Sequence, residues 1–166
     1  MGLFDLFRRR SRSSTAPAAS PARSILNPNP AELRWIQENL ALAQQLVQLF
    51  APELATLTLA PHALDEAYAR WFAQHRPEQE DPNPIINAVG LAYGQYMADQ
   101  LSLEWAVVSD AQGTDIALHG EPNQMLIFPT ALVAKRYHSR QTGFLSLLYP
   151  LMRDEVARLR AGEDPK

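Results

Sequence analysis

The chain contains no cysteine, which excludes a disulfide scaffold and thiolate chemistry and favours a cytosolic address. No apolar run approaches the ~20 residues that a membrane-spanning helix needs. The four histidines, His62, His75, His119 and His138, fall in no metal-ligand spacing, and there is no His-Glu-x-x-His. Gly-x-Ser-x-Gly, a phosphate loop and a dinucleotide fingerprint are missing too. These absences remove the motif-bearing enzyme classes, and no cofactor or metal is expected. They fix no activity.

What is present divides unevenly. At 166 residues the chain suits one domain plus a tail. Residues 1–24 carry five arginines against Asp5, a net +4; the whole chain is −3, so residues 25–166 carry −7. So acidic a body is a poor partner for phosphate backbones, and no nucleic acid is expected. Residues 1–28 are rich in Ser, Ala, Pro and Arg and read as a disordered basic tail. Within it, Leu3, Phe4, Leu6 and Phe7 precede Arg8, Arg9 and Arg10. That order suits weak contact with an anionic membrane surface, although Asp5 opposes it. The apolar part is too short, and wrongly flanked, for a secretory signal.

Residues 29–162 read as a single domain, followed by a short tail at 163–166. Asn29-Pro30-Ala31-Glu32 is a helix start with a capping box. Trp35, Ile36, Leu40, Ala43, Val47 and Phe50 follow at helical spacing. A second helix is predicted over residues 62–75, with Trp71 and Phe72 inward. The loop holding Glu78, Glu80 and Asp81 lacks the ligand ladder of a Ca²⁺ loop and reads as solvated. Asn83-Pro84 repeats the helix start. The helix it opens carries Gly90 and Gly94, and each internal glycine costs about 1 kcal/mol against alanine. Two such penalties imply close approach of another backbone, expected to be the sheet, or of a ligand.

Three strands are expected: Glu104–Ser109, Thr114–Leu118 and Met125–Phe128. Asp110 and Gly113 mark a tight turn between the first two. Trp105 and Val107 share one face. Ile116 and Leu118 point to the core, while Asp115, Ala117 and His119 face away. Thr130 is expected to cap a short helix, and Pro150 to kink or split the last one.

The run Asn87-Ala-Val-Gly90…Gly94, then Trp105-x-Val107-Val108-x-Asp110-x-x-Gly113, then Ile127-Phe128-Pro129…Val133-x-Lys135-Arg136 resembles a family of small bacterial domains of unknown function. The resemblance covers roughly residues 83–160. It implies a fold and a bacterial origin, and brings no catalytic residues with it.

The expected fold is α+β, with four or five helices on a small three-stranded antiparallel sheet. The best polar constellation is Trp105, Asp110 and Asp115 from the hairpin with Lys135 and Arg136 from the next helix, a candidate interaction surface. Ser109 with His119 is the least implausible nucleophile–base pair. The function expected is a non-catalytic protein-interaction domain in the cytoplasm. One alternative is a small-molecule binder or enzyme with its pocket between the Gly90–Gly94 helix face and the sheet. The other is peripheral attachment to the inner membrane surface through residues 3–12.

Overall fold

The computed structural model describes residues 23–122 and 125–162. The expected tail up to residue 22 and the C-terminal tail lie outside the described residues. Element order is β1 (Ser24–Leu26), α1 (Pro30–Phe50), a 3₁₀ turn at Pro52–Leu54, α2 (Pro61–Gln74), α3 (Asn83–Leu101), β2 (Glu104–Asp110), β3 (Gly113–Gly120), β4 (Met125–Ile127), α4 (Pro129–His138) and α5 (Leu145–Arg160). The fold is α+β, with an antiparallel sheet in the order β1-β2-β3-β4.

The sheet has four strands, which corrects the expected three. The extra strand, β1, lies within the stretch read as tail. A three-residue strand carries no periodicity of its own; it is defined by pairing, with Ser24 opposite Ser109 and Leu26 opposite Val107. Pro150 does not split the last helix: α5 continues through it. The proline stands in the second turn, so only one backbone bond near the helix start is lost.

Helix starts show how local sequence and distant partners share the work. Asn29 caps α1 as expected: its Oδ1 accepts from the N–H groups of Ala31 at 2.8 Å and Glu32 at 3.0 Å, and Glu32 accepts in return from the Asn29 N–H at 2.7 Å. Asn83 does not cap α3. It is the first helical residue, and its N–H donates to Asp81 Oδ1 at 3.0 Å. Thr130 does not cap α4 either; Pro129 opens that helix directly from Phe128. α5 has no local cap. Instead Asp65, buried on α2, accepts from the N–H groups of Leu145 at 2.9 Å and Ser146 at 2.8 Å.

The main core joins the inner faces of all five helices to Leu118 and Ile127 of the sheet. Within it Tyr93 donates to the carbonyl of Leu145 at 3.3 Å, whereas the Tyr68 hydroxyl is buried with no hydrogen-bond partner. Burial pushes the Tyr68 phenol up to about 12, with Tyr137 adding to the rise. An unpartnered buried hydroxyl contributes nothing and costs its desolvation. Tyr68→Phe is therefore expected to leave the urea midpoint at pH 7 unchanged or raised. The unfolded phenol ionises near 10 and the folded one near 12, so native stability falls as pH rises through that window. The variant should show a shallower loss between pH 10 and 12 in the same urea titrations.

The two glycines of α3 sit at close contacts, but not as expected. A Cβ at Gly90 would lie 2.7 Å from the Thr130 Cα, so the backbone that approaches is the start of α4, not the sheet. A Cβ at Gly94 would meet the Trp105 ring at 2.4 Å and the Pro129 ring at 2.8 Å. Trp105 of β2 and Pro129 of α4 thus pack directly against Gly94.

Candidate functional site

Pairing places Val108 opposite Asp115 and Asp110 opposite Gly113, so Val108, Asp110 and Asp115 share one face of the hairpin. Trp105 and Val107 lie on the other face, where Val107 clusters with Ile36 of α1, Leu91 of α3 and Ile116. The face carrying Val108 and Ala117 is not solvated, as alternation alone suggested. Val108, Ala117 and Leu126 are buried there, joined by Ile25 and Phe128, in a cluster that includes no residue of a described helix.

β4 leaves the sheet beside β3, and the chain turns through Phe128 into α4. A groove of about 370 Å³ opens between the turn end of the hairpin and this helix. Its lining combines apolar Val108, Phe128, Ala131 and Leu132 with charged Asp110, Asp115 and Lys135. Gly113 closes the hairpin at φ 134°, a conformation that side chains rarely adopt, while Asp110 Oδ1 accepts from the Gln112 N–H at 2.9 Å. Arg23 reaches Asp110 at 3.5 Å from the β1 side. Desolvation holds the Asp115 carboxyl above its ordinary range, opposed by the Ile116 N–H that donates to it at 2.8 Å.

Three of the five residues of the expected constellation, Asp110, Asp115 and Lys135, therefore meet at this groove. Trp105 does not join them. Its Nε1 donates to Gln95 Oε1 at 2.9 Å on the helix-covered face. Arg136 stands half-buried on α4, outside the groove lining.

Residues 67–147 match the model of a domain of unknown function, DUF3806. The match covers just under half of the chain. The matched segment runs from the middle of α2 to the start of α5 and contains the whole groove, whereas β1 and α1 precede it. No curated protein matches the chain. A crystal structure of a protein from Bacteroides thetaiotaomicron VPI-5482 is similar in fold, with a TM-score of 0.59 at 11% identity. The likeness covers 78% of this chain and 46% of that one, so the chain spans about half the length of the solved protein. At that identity the likeness concerns the fold alone.

Other chemistry weighed from the sequence does not assemble. Ser109 lies at the turn end of the hairpin, bonded to Thr114 at 2.7 Å, while His119 is opposite Glu104 at the far end. Among the described residues no group of His, Asp and Glu is placed to hold a metal ion. Sequence reading missed one polar chain within the matched segment. His75 lies 3.1 Å from Glu80 through Nδ1 and 2.9 Å from the Tyr137 hydroxyl through Nε2, stacked on Trp71 at 4.5 Å. The His75 side chain is only 2% exposed. Through Tyr137 it ties α4 to the end of α2.

Proposed function

We propose that the protein is a non-catalytic interaction domain that docks a peptide segment in the groove between the β2–β3 hairpin and α4. The occupant fitting it best is a short segment with a large apolar side chain next to cationic ones. One observation carries the reading: apolar Val108, Phe128 and Leu132 line the groove together with the charged side chains of Asp110, Asp115 and Lys135. Burying an aromatic ring supplies the main driving force. Charge in the lining sets which partner is accepted and speeds its arrival.

The test uses a fluorescent decapeptide carrying two phenylalanines followed by three arginines, titrated into the full chain and read by anisotropy. Saturable binding is expected, and Asp115→Lys should weaken it at least tenfold. The control, Glu78→Lys in the exposed loop before α3, should change it less than twofold. Equal effects of the two substitutions, or no binding, would remove the groove as the docking surface.

A further inference from the structure

We infer that the cleft between α1 and α3 binds an aliphatic ammonium group. The cleft shares no lining residue with the hairpin groove and holds about 170 Å³. That lies below the ~300–1,000 Å³ of sites that take drug-sized ligands, so the group it holds is small.

Hydrogen-bond direction supplies the first argument. The Trp105 indole N–H can only donate, so it fixes the Gln95 amide with Oε1 towards it, at 2.9 Å. The Gln95 amide nitrogen is then turned to Asp99, and donates to its Oδ1 at 2.8 Å. An ionised carboxylate held through one oxygen keeps the other as an acceptor. Gln44 lines the cleft from α1. Its Nε2 donates to the Thr56 carbonyl at 3.1 Å, which leaves its Oε1 to accept. Both helices therefore bring acceptors to the cleft, and none of its described lining residues is basic. An ammonium, with three donors and no acceptor, is the complement.

The apolar part of the lining supplies the second. Leu40, Leu57, Leu59 and Ala92 stand with these acceptors. Leu57 is fully exposed, so its side chain has apolar surface left for a ligand to cover. Tyr96 also lines the cleft, its ring edge-to-face with Tyr149 of α5 at 5.1 Å. An aromatic ring beside a carboxylate favours a cation over a neutral donor. Asp99 is exposed, so charge alone would hold an ion weakly. A short alkyl chain against the leucines adds what the ion pair lacks.

The test titrates n-pentylamine, charged at pH 7, into the isotope-labelled full chain, with n-pentanol as its neutral counterpart. Amide shifts are expected at Gln44, Leu59, Ala92, Gln95 and Asp99, and the amine should bind at least fivefold tighter than the alcohol. Asp99→Asn keeps the oxygen that accepts from Gln95 and removes the charge. It should leave folding intact and reduce the preference for the amine below twofold. Leu57→Ser should weaken amine and alcohol by the same factor. Equal affinity of amine and alcohol for the wild-type chain, an unchanged preference in Asp99→Asn, or shifts confined to other residues overturns the inference. A lysine blocked as an amide at both backbone ends then identifies the source of the group. Tighter binding than pentylamine assigns the site to a lysine side chain of a polypeptide, and weaker binding assigns it to a free amine; both uphold the ammonium site.

Discussion

Asp65→Ala is expected to lower the unfolding free energy by about 3 kcal/mol, the largest loss from any single polar substitution in the described residues. Asp65 is buried on α2, and its two carboxylate oxygens accept separately from the first backbone N–H groups of α5. Those donors have no partner inside their own helix, and an acidic group at this end also meets the positive pole of the helix dipole. Loss of an N-cap alone costs about 0.5–2 kcal/mol. Here the alanine also strands two donors at a site with little water, each at roughly 1–3 kcal/mol before relaxation. Asp65→Asn keeps one acceptor oxygen and removes the charge, so it should fall between wild type and alanine. Urea unfolding followed by circular dichroism measures both. If alanine cost less than about 1 kcal/mol, α5 would be held by packing alone.

Gly90→Ala is expected to destabilise by about 2 kcal/mol despite a gain in helix propensity. An alanine in a helix interior is favoured over glycine by about 1 kcal/mol. The added methyl, however, would stand 2.7 Å from the Thr130 Cα and 3.0 Å from the Thr130 N. Those atoms are backbone and cannot rotate aside, so α4 must move away from α3. Overpacking of this kind costs typically 1–3 kcal/mol and outweighs the propensity gain. Gly94→Ala meets side chains, the edge of the Trp105 ring and the Pro129 ring. Trp105 is only half-buried and can shift, so the loss there should be smaller. Because Phe128, Ala131 and Leu132 flank the displaced residues, Gly90→Ala should also weaken peptide binding in the groove, whereas Asp65→Ala, acting through α5, should not. Thermal unfolding and the anisotropy titration separate the two effects.

Both results bear on what was legible in the sequence. The penalty of two glycines in one helix signals that something comes close, and it does. The sequence is silent on which backbone, because nothing local to Thr130 marks it as the partner. Asp65 was invisible for the same reason: its two partners are about eighty positions away, and an aspartate in an amphipathic helix reads as a solvated face. β1 escaped because three residues contain no period and depend on β2 for their pairing. The hairpin was legible from Asp110 and Gly113, since few residues tolerate that turn. Of the candidate site, the charged part of the lining could be assembled from the turn and from Lys135, one helix later. The apolar part could not, because Val108, Phe128 and Leu132 look like core. Trp105 was placed in the constellation against the evidence of strand alternation, which sets it on the opposite face from Val108 and Asp115.

The most direct test of the docking account is to follow backbone amide shifts of the isotope-labelled full chain as the phenylalanine–arginine decapeptide is added. The account predicts shifts concentrated at Val108, Gln112 to Asp115 and Phe128 to Lys135, saturating together with one affinity. Shifts centred instead on the cleft between α1 and α3, at Gln44, Leu59 and Tyr96, or the absence of shifts at any peptide concentration, would contradict it.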